Sequence, residues 1–259
     1  MSSIMSVASV YKGPRQPNPL LVFATSSIGK KWIAGISGGL LVLFVLAHLA
    51  GNLTIYIGPY GEGINVYAQA LHASPLFLWA ARGGLLLVFA IHIFTTLSLV
   101  LENRRARPQR YAVKARVQST IFVRTMALSG LVVLSFLIFH VLQFAAGLSP
   151  HSHLYDLEGR HDVAAMIILS FHNPWVSGFY LLSLGLLGMH LSHGISSVFQ
   201  TLGLNGRKSA SLIKHGALVV SWVLMVGFAS IPVAAVAGYL QVLPADRRVA
   251  PELTASVTP

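Results

Sequence analysis

The chain of 259 residues is 54% hydrophobic and only 10% charged, with a mean hydropathy of +0.70. Soluble domains carry about 25% charged residues, so a water-covered globular surface is excluded. The formal charge of +11 first suggests a nucleic-acid ligand, while the absence of cysteine excludes disulfides, iron–sulfur ligation and thiol-held metals and leaves 11 histidines as the soft ligands.

A bilayer core about 30 Å thick is crossed by roughly 20 apolar helical residues, and five segments qualify. Residues 1–29 read as a polar, basic cytoplasmic tail and not as a cleaved signal peptide. The first span, Trp32–Tyr56, carries His48; the hairpin after it holds Glu62 and His72. The second, Trp79–Leu101, carries His92 and leads into a loop with Arg104, Arg105, Arg107, Arg110, Lys114 and Arg116. The third, Ile121–Gly147, starts beside Arg124 and carries His140. In the next connection His151, His153 and His161 read as a solvated loop rather than a metal cluster, and Val163–Phe171 is too short to cross and is expected to lie at the interface. The fourth span, Pro174–Phe199, carries His190 and His193; the fifth, Leu212–Leu240, has His215 at its edge and Trp222 expected in packing. Trp32, Trp79 and Trp175 open three of the spans, where an interfacial aromatic belt belongs. Residues 30–241 thus form one five-helix membrane domain, and 242–259 an external tail.

Fourteen basic residues fall in the N-terminal tail and the loops after spans two and four, against four (Arg82, Arg160, Arg247, Arg248) on the other side. The positive-inside rule puts the N-terminus in the cytoplasm and the C-terminus outside. The charge is therefore an orientation signal, and no nucleic-acid partner is expected. All seven acids lie outside the spans, which leaves a carboxylate proton relay through the bilayer without residues and weakens a haem-free transporter reading.

Ionisable residues inside a membrane point to function, and the depths of these histidines fall into two tiers. At about 1.5 Å per residue, His48 and His140 each lie roughly 24 Å from the cytoplasmic entrance, by Trp32 and Arg124; His92 and His190 lie roughly 20–22 Å from the outer one. In an up-down bundle the first and third helices, like the second and fourth, stand diagonally across the core. Two facing imidazoles there can ligate iron from both faces of a haem, a closed coordination suited to electron transfer. Two tiers give two stacked haems. His193, three residues from His190, shares its face and competes for the fourth ligand position. Gly38, Gly39, Gly83, Gly84, Gly130, Gly185 and Gly188 on these helices would admit a flat macrocycle, or serve helix packing.

The run NPWVSGFYLLSLGLLGMHLSHGISSVFQTLG at Asn173–Gly203, with NLTIYIGP at Asn52–Pro59, NVYAQAL at Asn65–Leu71 and the Arg82–His92 stretch, resembles the cytochrome b membrane anchor of succinate:quinone oxidoreductases. The likeness, from about Lys30 to Leu240, is to the single-chain, five-helix, di-haem type of bacterial succinate dehydrogenases and fumarate reductases. It implies an all-α integral membrane bundle of five transmembrane helices, four of them enclosing two haems b in the bacterial inner membrane. It also implies His48 and His140 as axial iron ligands of the distal haem, and His92 and His190, in preference to His193, as those of the proximal one. Partners would be a cytoplasmic iron–sulfur subunit carrying an FAD-containing flavoprotein, with membrane lipid around the helices and menaquinone as exchangeable carrier. The quinone site itself has no motif; Glu62 is a candidate for proton exchange there, beside its reading as a loop acid. The chain alone, without flavin or cluster motif, is not expected to oxidise succinate. A di-haem subunit of a hydrogenase or formate dehydrogenase is the alternative.

Overall fold

In a computed structural model, described over residues 18–106 and 121–244 (121–125 by backbone alone), the chain is helical with no strand among the described residues. The basic residues Lys12, Arg15, Arg107, Arg110, Lys114, Arg116, Arg247 and Arg248, and the Arg124 side chain, lie outside what is described. The helices are α1 (Pro19–Thr25), α2 (Ser27–Leu53), α3 (Glu62–His72), α4 (Pro75–Arg105), α5 (Ile121–His140), α6 (Val163–Phe171), α7 (Pro174–Thr201) and α8 (Ala210–Val236). Five of them, α2, α4, α5, α7 and α8, are long and apolar enough to cross a membrane, the pattern of a multi-pass membrane protein.

Helix ends follow local chemistry. Ser26 caps α2 by accepting from the Gly29 amide at 3.0 Å, so that helix begins five residues before Trp32. Prolines open α4 and α7 at positions where the missing N–H is no loss. At the far end of α8, Gly238 at φ +76° takes the left-handed conformation that stops a helix, and the helix therefore ends at Val236, short of Leu240.

The tight part of the bundle is a three-helix seam. Leu49 of α2, Leu191 of α7 and Leu224 of α8 are buried together, with Val45, Leu187 and Phe228 packed against them. Helix α4 leans on α2, and α5 on α7; α4 and α5 make no extensive contact with each other among the described residues. The four histidine-bearing helices are thus linked in the order α4, α2, α7, α5, with no extensive contact between the second and third spans among the described residues. At one end of the bundle, Lys30 of α2 is ion-paired with Glu102 of α4. Trp79 and Trp175 stand exposed at the opposite, loop end, and the Arg82 guanidinium lies 5.2 Å from the Trp79 ring. Trp222, expected in packing, is instead 55% exposed on α8, where lipid would supply the apolar surroundings.

The loop end is closed by a cap. Val163–Phe171 is a helix too short to cross, and protein covers it: Ala164, Ile167, Ile168 and Phe171 are buried against α3, α7 and α8. A helix apolar on all sides needs enclosure all round. Gly61, at φ +73°, lets α3 come so close to α6 that a Cβ there would sit 2.7 Å from that of Ala164. Buried Asn65 of α3 ties the pieces together: its Nδ2 donates to Asp156 (3.3 Å) and Asp162 (3.1 Å), and its Oδ1 accepts from the Ala164 amide (2.9 Å). Arg160 answers the buried charge, bonding Asp156 at 2.7 Å and pairing with Glu158 and Glu62.

Candidate functional site: paired histidines within the spans

Of the four expected histidines, one pair is in ring contact and the other two lie near each other. Towards the loop end, His48 of α2 and His140 of α5 face each other with ring centroids 5.9 Å apart and planes at 80°. Towards the other end, the base end, His92 of α4 and His190 of α7 lie within electrostatic range of one another. Each pair joins helices that make no extensive contact with each other among the described residues.

Hydrogen bonding fixes how these rings can act. His92 Nδ1 lies 3.2 Å from the Ala34 carbonyl, which can only accept, so Nδ1 must carry the proton and Nε2 is left with its lone pair. The same nitrogen is 3.3 Å from Ser37 Oγ, whose proton goes to the Ile33 carbonyl at 2.7 Å. His190 Nδ1 lies 3.3 Å from Ser129 Oγ, and that hydroxyl donates to the Met126 carbonyl at 3.0 Å. His140 Nδ1 is 3.2 Å from the Tyr180 oxygen, and Tyr180 donates to Gln143 Oε1 at 2.9 Å. In all three, an oxygen whose own proton is engaged elsewhere accepts from Nδ1–H and frees Nε2 for a metal. His48 differs: Phe44 stacks on it at 5.4 Å and Asn52 Nδ2 lies 3.3 and 3.4 Å from its two ring nitrogens.

Glycine makes room for the His92 ring and lies against the His190 ring. A Cβ at Gly38 would fall 3.0 Å from His92 Cε1, and one at Gly130 3.4 Å from His190 Cε1. Gly188 is a packing position against Met225 of α8, while a Cβ at Gly39, Gly83, Gly84 or Gly185 would meet nothing within 4 Å. His193, the competitor of His190, makes no side-chain hydrogen bond among the described residues and has no seat of this kind.

Sequence reasoning missed the serines, although a signal was present. Ser37-Gly38 stands eleven residues before His48, and Ser129-Gly130 eleven before His140, with Phe44 and Phe136 each four residues before the histidine. Eleven residues are just over three full turns, about 16.5 Å. Helices α2 and α5 therefore each present, on one stripe, a ring for the loop-end pair and a seat for the base-end ring of a neighbour. At the turn after His140 the helix widens into a π turn, Val141–Ala145, which carries the Gln143 that meets Tyr180.

The spacing of the loop-end pair would admit a metal between two imidazoles. Metal–nitrogen bonds of about 2 Å put opposed nitrogens about 4 Å apart and ring centroids roughly 6 Å apart, against 5.9 Å for His48 and His140. Among the described residues no three or more His, Asp or Glu gather as a metal cluster. The donor set is two neutral nitrogens per tier, which suits an iron that takes its other ligands from a macrocycle better than a zinc or copper ion, which wants three or four protein ligands. Outside the spans, His161 Nε2 is engaged with the Ser152 carbonyl at 2.6 Å, and Glu62 sits in the first turn of α3 beside Arg160.

No protein-family model, curated protein or solved structure matches the chain.

Proposed function

We propose that this chain is the haem-bearing cytochrome b anchor of a succinate:quinone oxidoreductase in a bacterial inner membrane, with its N-terminus cytoplasmic. The observation that carries the electron-transfer part is the pairing of His48 with His140 and of His92 with His190. Four spans each contribute one ring, and partners come from helices that make no extensive contact with each other among the described residues. The succinate part rests on the resemblance of the Asn173–Gly203 and Asn52–Leu71 stretches.

On this reading His48 and His140 hold the distal haem b, and His92 and His190 the proximal one. Haem, when bound, would supply a one-electron carrier. The residues of the chain do the rest: Ala34, Ser37, Ser129 and Tyr180 keep Nδ1 protonated and Nε2 free, and the apolar walls exclude water. The basic base end would receive an iron–sulfur subunit with its FAD-containing flavoprotein, and electrons from succinate would leave to membrane menaquinone.

The test is a reduced-minus-oxidised visible spectrum of the complex purified in mild detergent, recorded before and after succinate, with the co-purifying subunits identified. Two b-type haems reducible by succinate are expected. Absence of b-type bands would end the electron-transfer reading. A nickel or molybdenum subunit in place of the flavoprotein would move the chain to a hydrogenase or formate dehydrogenase.

A further inference from the structure

We propose that Ser37 and Ser129 are matched positioning residues for the base-end imidazoles, buried hydroxyls that accept the Nδ1 protons of His92 and His190 and set how strongly that pair donates to its metal. The inference rests on the haem reading above. Both serines are 5% exposed, and both spend their own proton on a carbonyl of their own helix, Ile33 and Met126 respectively. That leaves each oxygen as an acceptor aimed at a ring nitrogen 3.3 Å away.

A serine that merely satisfied itself on a helix would not need a partner shaped to it. Here each is followed by a glycine beside the ring: a Cβ at Gly38 would crowd His92 Cε1 at 3.0 Å, and one at Gly130 would touch His190 Cε1 at 3.4 Å. The arrangement occurs twice, on two helices, at the same distance from a loop-end histidine. Ser135, also on α5, is the contrast: it bonds only the Leu131 carbonyl, is exposed and touches no histidine among its hydrogen bonds.

The two seats are unequal, and this makes the inference specific. His92 Nδ1–H has a second acceptor in the Ala34 carbonyl, whereas His190 Nδ1–H has Ser129 alone among the described hydrogen bonds. An acceptor on Nδ1–H raises imidazole basicity and so favours ferric iron; losing it shifts the balance towards ferrous iron and raises the midpoint potential. Removing Ser129 should therefore matter more than removing Ser37.

The experiment is a redox titration of the purified complex with low-temperature electron paramagnetic resonance of the ferric haems, the base-end haem being the one lost in His92→Ala. Ser129→Ala is expected to raise that haem's midpoint by about tenfold in the ferric-to-ferrous ratio, about 59 mV for one electron. Its ferric signal should move while the other haem stays unchanged. Ser37→Ala should shift the same haem in the same direction by less, Ser129→Thr should restore the wild-type value, and Ser135→Ala should change nothing. If Ser129→Ala fails to load the base-end haem while Ser129→Thr loads it, the hydroxyl is again required. Unchanged potentials and signals in Ser129→Ala, a shift no larger than that of Ser135→Ala, or haem loss in both the Ala and Thr variants would overturn the inference. A wild-type complex without b-type bands would instead overturn the functional reading on which it stands.

Discussion

The His140 ring nitrogen lies 3.2 Å from the Tyr180 hydroxyl, and that hydroxyl passes its own proton to Gln143. Tyr180 is 5% exposed, and it packs edge-on against Phe136 and Phe171. In Tyr180→Phe the aromatic packing survives but the buried Nδ1–H of His140 loses its acceptor. A stranded buried donor is destabilising by about 1–3 kcal/mol. We expect a lowered melting temperature in detergent and a changed potential for one haem only. A Tyr180→Phe complex identical to wild type in both would show that the network holds nothing.

His48→Ala or His140→Ala should remove one haem and leave the second spectrum largely intact, and His92→Ala or His190→Ala should do the reverse. His193→Ala should retain both, since its ring has no Ser–Gly seat. Haem quantification by the pyridine haemochrome spectrum decides this; loss of both haems from any single loop-end variant would break the tier assignment.

Gly38→Ala should perturb the base-end pair more than Gly130→Ala, because the added methyl meets the His92 ring at 3.0 Å and the His190 ring only at 3.4 Å. Overpacking of this kind is destabilising by about 1–3 kcal/mol. Gly39→Ala, which meets nothing within 4 Å, is the control and should leave haem content unchanged. Equal haem loss in Gly38→Ala and Gly39→Ala would refute the fit.

Asn65→Ala removes donors to two buried carboxylates and the acceptor for the Ala164 amide in one step. Hydrogen bonds to charged groups are worth about 1.5–3 kcal/mol each, so the cap should loosen while the spans stay inserted. Limited proteolysis should then cut between residues 146 and 162 in the variant and spare the wild type. Equal resistance in both would mean that α6 is held by its apolar contacts alone.

Composition and the length of the apolar runs were enough to establish five helices of membrane length, because the bilayer leaves a chain so poor in charge few alternatives. The spacing of His48, His92, His140 and His190 along their spans also set the two depths, since a helix converts residue number into distance. Which side chains meet at each depth was a matter of tertiary structure. The seats at Ser37 and Ser129 depend on contacts between residues 55 and 61 positions apart, and no periodicity reports those. The helix face presents His190 and His193 alike; the resemblance implied His190, and in the fold it is His190 that has a serine partner. Likewise, the apolar stretch Val163–Phe171 has the same sequence whether lipid or protein covers it, and the approach of α3 through Gly61 and Asn65 decided for protein.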